Sequence, residues 1–242
     1  DNSALQNYSK NCQPIKVLVK DLQNGGTNYG NGFAISPTEV IVNDHTLPAQ
    51  VGSIELQFER SEDSKKIIKI SAQLSVRDFH TDLALLKISA NHSLPVCQLE
   101  LNPNQNSLSN LVLMGFDKQD FSSSALLVQI QNWQSKKSTV PGLTEAIEIG
   151  AVNIRESFSG SVLLNANGNI IGMTSQKTAE GSALLIPAKT IQQIALNLRV
   201  QGNNPQLQQK TNLIRPYELD RSSNMIQFKG LKIDLNNSSP LN

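Results

Sequence analysis

This chain of 242 residues has few cysteines and few aromatic residues, and its net charge is close to zero. Its two cysteines, Cys12 and Cys97, lie far apart and lack the paired spacing of zinc ligands, which excludes a zinc site. Lys and Arg total 21 against 20 Asp and Glu, so the net charge is +1. Without a basic stripe, neither a nucleic acid nor a membrane surface is predicted as a partner. Apolar runs such as 83–86 and 183–186 fall far short of the roughly 20 residues that a membrane span needs.

The two cysteines leave two alternatives, a disulfide or two free thiols, and we favour the disulfide. It would close a long loop, for which chain-entropy arguments give about 4–5 kcal/mol of stabilisation. Because disulfides persist in oxidising compartments, the bridge predicts an extracytoplasmic location, either periplasmic or secreted. The sequence begins with Asp1 rather than Met, and we therefore expect that any export signal has already been removed.

Short apolar runs with strand character recur from residue 15 to residue 186, and clusters of Asn, Gly, Pro and Ser separate them. A polar, turn-rich segment at 101–110 divides the runs into two series of about six. This pattern predicts an all-β fold of two successive six-stranded antiparallel barrels. The first series comprises 15–19, 32–35, 40–42, 54–58, 67–76 and 83–88, and the second comprises 111–114, 125–130, 146–149, 161–164, 170–173 and 183–186.

One helix is predicted after the last strand, from Pro187 to about Leu198, because Ile191, Ile194 and Leu198 recur at helical spacing. We interpret it as a packing helix. The Asn- and Gln-rich stretch 201–209 is typical of a linker, and the alternation at 231–235 predicts one further strand. The predicted organisation is an N-terminal strap and first barrel over 1–104, a second barrel and closing helix over 105–200, and a linker with a C-terminal extension over 201–242.

Three segments place a residue suited to acyl transfer beside a predicted strand. His45 follows the strand 40–42, Asp82 directly precedes the strand 83–88, and Ser159 lies in a small, flexible turn before another strand. Taken singly, each residue has a structural explanation: a buried histidine with its hydrogen bonds satisfied, a turn aspartate or a plain turn. Taken together they favour catalysis, because a serine hydroxyl needs a base and that base needs an acceptor. The order His, Asp, Ser places the site in the cleft between the barrels.

Short sequence motifs surround these residues, and the motif around Asp82 is specific. Residues 30–36 read GNGFAIS, 42–45 read VNDH and 81–88 read TDLALLKI. They resemble the GSGF(V/I)IS, TNxH and TDLALLKI motifs of trypsin-like serine proteases, in particular those of the bacterial HtrA/Deg group. Two later stretches, SGSVLLN from Ser159 and GSALLIP from Gly181, resemble that group's SGGPLLN and GxGFAIP.

The resemblance implies a serine endopeptidase with a polypeptide substrate and no cofactor or metal. Ser159 would be the nucleophile, His45 the general base and then acid, and Asp82 the residue that orients the imidazole. The family's oxyanion hole would correspond to the backbone N–H groups of Ser157 and Ser159.

Substrate contacts are also implied by the resemblance. Ser182 and Ala183 lie in the motif of a strand that binds the substrate backbone, and Asn153 would line the base of the primary pocket. Because Asn153 is not acidic, we expect a preference for neutral or apolar side chains over Lys or Arg. With aromatic residues at only 5%, the sequence marks no subunit interface, and the oligomeric state is left open.

The loop before the nucleophile departs from the family pattern. The family has GNSGGP where residues 157–162 read SFSGSV, so two glycines and a proline are replaced. Because glycine is favoured where the backbone is strained, Ser157 could turn its N–H away from the oxyanion. Two hypotheses remain: an active endopeptidase with or without an impaired oxyanion hole, and a pseudoprotease that acts as a protein-binding module.

Overall fold

The computed structural model describes residues 8, 10–60, 63–116, 123–150, 159–204, 217–220 and 225–228, with the backbone alone at 60, 63–65, 123–124 and the last two segments. Strands dominate these residues, as the alternation predicts. The sequence-based prediction of an all-β fold with a C-terminal helix is confirmed.

The first six strands form a closed antiparallel barrel in the order β1-β2-β3-β6-β5-β4. Along β1, the alternate residues Ile15, Val17 and Val19 are fully buried, because successive side chains of a strand point to opposite faces. This alternation fills the barrel interior with apolar side chains. The strands are Ile15–Asp21 (β1), Thr27–Ser36 (β2), Glu39–Asn43 (β3), Val51–Arg60 (β4), Asp63–Asp78 (β5) and Leu83–Ile88 (β6).

The second half of the fold is a curled sheet of seven strands in the order β8-β7-β11-β12-β13-β10-β9. One residue, Gln129, separates β8 from β9, although these two strands lie at opposite edges of the sheet. The chain therefore bends across the gap between the edges. The strands are Leu111–Phe116 (β7), Ser123–Val128 (β8), Ile130–Ser135 (β9), Ala146–Ile149 (β10), Val162–Leu164 (β11), Ile170–Lys177 (β12) and Ala183–Pro187 (β13).

A helix follows β13 and packs across both halves of the molecule. It spans Ala188–Gly202 (α1), buries Ile191, Ile194 and Leu198, and contacts strands of the barrel and of the second sheet. A two-stranded antiparallel pair, Tyr217–Asp220 (β14) and Met225–Phe228 (β15), comes later in the chain. The predicted strand at 231–235 lies outside the described residues.

The two halves meet through a shared apolar cluster, and a disulfide joins the two segments that flank the first barrel. Phe33 and Leu85 of the barrel pack in one buried cluster with Val112 and Met173 of the second sheet. Cys12, which precedes β1, and Cys97, in the segment between the halves, form a disulfide. These contacts bring the end of β3 next to the start of β11, where the candidate site lies.

Candidate active site

Asp82 occupies the turn between β5 and β6 in a strained backbone conformation. Its φ is 59°, in the left-handed region that non-glycine residues rarely adopt. Two donors hold its carbonyl oxygen: the backbone N–H of Asp44 at 3.0 Å and the Asn43 amide at 3.3 Å. Because its relative exposure is 0%, the carboxylate must find all its partners within the protein.

His45 lies on a 3-10 turn, Asp44–Thr46, that directly follows β3. Its Nδ1 is 2.7 Å from Oδ2 and 2.9 Å from Oδ1 of Asp82, and its backbone N–H donates to Oδ1 at 3.0 Å. A carboxylate in this position favours the tautomer with the proton on Nδ1, which leaves the Nε2 lone pair free to accept. The imidazole is 2% exposed, so its orientation is fixed by the surrounding protein.

Ser159 comes from the second sheet and completes a hydrogen-bonded series across the two halves. Its Oγ hydrogen-bonds Nε2 of His45. The backbone N–H and the side-chain amide of Asn31 in β2 donate to the Ser159 carbonyl oxygen at 3.0 and 3.3 Å. Ser159 is 8% exposed, and the two hydrogen bonds from Asn31 attach the turn that carries its hydroxyl to the barrel.

The residue after Ser159 must be glycine. Gly160 has a φ of 79°, and a Cβ at this position would lie 2.1 Å from the carbonyl oxygen of Asn31. A side chain would therefore both strain the turn and push it away from the barrel. The sequence keeps this glycine, together with Ser159, from the family motif GNSGGP.

Two polar residues that the sequence analysis did not assign also contact the site. Ser175 of β12 is buried and donates its hydroxyl to Oδ2 of Asp82 at 2.7 Å. Asn43 donates its amide to the same oxygen at 3.3 Å, and its own Oδ1 lies 3.2 Å from the Ser159 hydroxyl. Asn43 could have been found from the VNDH motif, whereas Ser175 is distant in sequence and only the folding of β12 against the barrel brings it to Asp82.

The predicted substrate contacts are only partly within the described residues. Ser182 and Ala183 are buried where β13 begins, and the Ser182 hydroxyl donates to Glu148 at 2.9 Å rather than to His45, Asp82 or Ser159. A hydrogen bond from Lys137 lowers the pKa of Glu148. Asn153 and Ser157 lie in 151–158, outside the described residues, so their assigned roles stay predictions.

None of the helices in the described part of the chain is long and apolar enough to cross a membrane. Within the same residues, no group of three His, Cys, Asp or Glu side chains is arranged to hold a metal ion. The arrangement of carboxylate, imidazole and hydroxyl can itself activate a nucleophile, because the imidazole can take the hydroxyl proton while the carboxylate orients it.

Solved structures share this fold. A serine endoprotease from Yersinia pestis superposes with a TM-score of 0.64 at 21% identity, over 83% of this chain and 67% of the other. The inactive form of Rv3671c from M. tuberculosis superposes with a TM-score of 0.59 at 16% identity, over 81% and 90% of the two chains. The fold is therefore that of the chymotrypsin-like proteases.

Sequence comparison identifies the family. The profile described as the trypsin-like peptidase domain matches residues 30–173, more than half of the chain. The chain belongs to the trypsin-like peptidase family, and the predicted resemblance to HtrA serine proteases is confirmed.

Two relatives illustrate the extent of the match. Serine protease HTRA4 of Homo sapiens is 24% identical over 166 residues, which are 68% of this chain and 33% of that protein. Serine protease HTRA1 of Xenopus tropicalis is 27% identical over 165 residues, which are 67% of this chain and 34% of that protein. The chain thus spans about a third of the length of these relatives.

Proposed function

We propose that this chain is a serine endopeptidase that hydrolyses peptide bonds through Ser159, His45 and Asp82. The observation that carries the proposal is the hydrogen-bonded series from the Asp82 carboxylate through His45 to the Ser159 hydroxyl. Membership of the trypsin-like peptidase family supports the same chemistry.

The reaction begins when the Ser159 oxygen attacks the carbonyl carbon of the scissile peptide while Nε2 of His45 takes the hydroxyl proton. Asp82 stabilises the imidazolium that forms. The tetrahedral intermediate then expels the amine, which receives the proton from Nε2, and leaves an acyl-enzyme on Ser159. A water molecule then attacks the acyl-enzyme while His45 again acts as the base, and the carboxylic acid product is released from Ser159. The backbone N–H groups of Ser157 and Ser159 are proposed to bind the oxyanion.

Ser161 replaces a glycine of the family motif, and this replacement is compatible with the proposal. It is fully buried, and its carbonyl oxygen accepts the backbone N–H of Thr174 at 2.9 Å. Opposite its side chain lies Gly115 of β7, where a Cβ would come within 2.5 Å of the Ser161 hydroxyl oxygen. The absence of a side chain at position 115 therefore leaves room for the serine, so the replacement needs no shift of the neighbouring strand.

The second candidate function is a pseudoprotease that binds polypeptides without cleaving them. Ser157 favours it, because this residue replaces the glycine that stands two positions before the nucleophile in the family motif. Losing one oxyanion donor slows catalysis by about 100- to 1000-fold. Under this alternative, the triad side chains would be retained without supporting turnover.

The proposal also includes the cellular compartment of the protein and the type of side chain after which it cleaves. The disulfide between Cys12 and Cys97 supports an oxidising, extracytoplasmic compartment, periplasmic or secreted. Because Asn153 stands at the proposed base of the primary pocket, cleavage is expected after neutral or apolar side chains rather than after Lys or Arg.

Hydrolysis of fluorescein-labelled casein tests the endopeptidase against the binding module. We expect wild-type protein to release labelled peptides, and Ser159→Ala to lose activity by about a factor of a million, as measured for removal of such a nucleophile. Ser93→Ala, at an exposed serine outside the site, is the control and should retain the wild-type rate. Folded wild-type protein that binds casein but cleaves it no faster than Ser159→Ala would reject the endopeptidase.

A further inference from the structure

An ion pair lies against the turn that carries His45. The guanidinium of Arg77 in β5 donates from Nε to Oδ1 of Asp44 at 2.6 Å. Its Nη1 donates to the carbonyl oxygen of Pro48 at 2.8 Å, and its Nη2 lies 3.3 Å from the carbonyl oxygens of Asp44 and Leu47. One side chain thus contacts both ends of the segment 44–48.

Both charges are buried, which makes a purely stabilising role a poor explanation. Asp44 is 0% exposed and Arg77 is 9% exposed. Removing two charges from water carries a desolvation penalty that often equals or exceeds their attraction, so apolar residues of similar volume would stabilise a barrel at least as well. The guanidinium does provide directional donors in a fixed geometry, which suits the positioning of a backbone turn.

The turn held by Arg77 sets two members of the triad at once. It carries His45, whose backbone N–H donates to Asp82 Oδ1 at 3.0 Å. The backbone N–H of Asp44 donates to the Asp82 carbonyl oxygen at 3.0 Å and so helps to keep Asp82 in its left-handed conformation. Arg77 itself pairs with Ala84, two residues after Asp82, in the β5–β6 ladder. A shift of the turn would therefore move the imidazole and the carboxylate together.

We propose that Arg77 is a positioning residue for catalysis: through its ion pair with Asp44, it holds His45 and Asp82 in the geometry that proton transfer from Ser159 requires. The proposal rests on the proposed endopeptidase function and adds to it a residue that touches no reacting atom.

A second arginine–carboxylate ion pair, at the far end of β3 from the His45 turn, provides a control. Glu39 begins β3, whereas Asn43, next to the His45 turn, ends it. Arg199 of α1 donates from Nε to both carboxylate oxygens of Glu39 at 3.1 Å, and its Nη2 lies 2.9 Å from Oε1. Removing Arg199 breaks an arginine–carboxylate pair on β3 without touching the turn.

The experiment compares Arg77→Met, Arg199→Met and the double variant Asp44→Asn/Arg77→Met in the full chain, with folding checked by circular dichroism. We expect kcat for casein peptides to fall by about 100-fold in Arg77→Met with KM unchanged, as for a misplacement of about 1 Å. The double variant, which leaves no uncompensated charge, should be as slow, and it decides the question if Arg77→Met does not fold. Arg199→Met should retain the wild-type kcat.

A readout independent of turnover is the low-field proton NMR resonance of the His45 Nδ1 proton, which reports its hydrogen bond to Asp82. We expect the resonance in wild type and Arg199→Met, and its loss or broadening in both variants at position 77. A folded variant at 77 with wild-type kcat and resonance would overturn the positioning role while leaving the endopeptidase intact. If wild type proves inactive, the proposed function fails, and retention or loss of the resonance alone decides the role of Arg77.

Discussion

At the scale of single residues, the hydrogen bonds of Asp82 explain how the site is held. Its carboxylate accepts from the ring and backbone of His45, from Asn43 and from Ser175. Because the group is fully buried, each donor replaces water that the carboxylate would otherwise bind. Ser175 is the donor from the second sheet, so it ties Asp82 directly to the half of the fold that carries Ser159.

Ser175→Ala should slow catalysis without preventing folding. A hydrogen bond to a charged group contributes about 1.5–3 kcal/mol, so we expect kcat on casein peptides to fall by about 10- to 100-fold. Ser135→Ala is the control, because Ser135 is also buried and its hydroxyl oxygen accepts the backbone N–H of Lys137 at 3.3 Å, away from the candidate site. Equal kcat values for the two variants would show that the Ser175 hydroxyl plays no part in orienting the triad.

How far the site could be predicted differs from residue to residue. His45, Asp82 and Ser159 were brought together in the prediction by chain order and local motifs, and the structure places them within hydrogen-bonding distance. The contact of Ser175 could not be predicted, because it depends on how β12 of the second sheet packs against the β5–β6 turn of the barrel. The pair formed by Asp44 and Arg77 could not be predicted for the same reason, since it joins the turn after β3 to β5, 33 residues further along the chain.

At the scale of secondary-structure elements, apolar alternation located most strands. The predicted runs at 83–88 and 146–149 coincide with β6 and β10. The run at 125–130 was predicted as one strand, but the structure has two, and Ile130–Ser135 was missed because it is largely polar. An edge strand needs few apolar side chains, so periodicity alone detects it poorly.

The disulfide connects the N-terminal strap to the segment between the two halves, and it should stabilise the fold without affecting the chemistry. We expect Cys12→Ser/Cys97→Ser to lower the free energy of unfolding in urea by about 2–4 kcal/mol, because the unfolded chain loses a constraint. The kcat measured well below the unfolding transition should match that of wild type. An unchanged urea midpoint would contradict the stabilising role, and reduced wild-type protein provides a second comparison.

At the scale of the whole molecule, the site exists only where the two halves meet. His45 and Asp82 come from the first barrel, whereas Ser159 comes from the second sheet. Asn31 joins them by donating to the Ser159 carbonyl oxygen and accepting the backbone N–H of Phe116 at 2.7 Å. The division into two antiparallel β halves was predictable because the series of strands repeats along the chain. The closeness of the halves at this point was predicted from the order His, Asp, Ser along the chain, together with the family resemblance.

The most direct test of the proposed function is covalent labelling of the native chain with a fluorophosphonate, followed by intact-mass analysis and peptide mapping. Such a probe reacts with a serine that a neighbouring base has activated. We predict a single adduct on Ser159, a much slower reaction in His45→Ala, and no adduct in Ser159→Ala. A folded wild-type protein that acquires no adduct, or acquires it on a different serine, would contradict the assignment of Ser159 as the nucleophile.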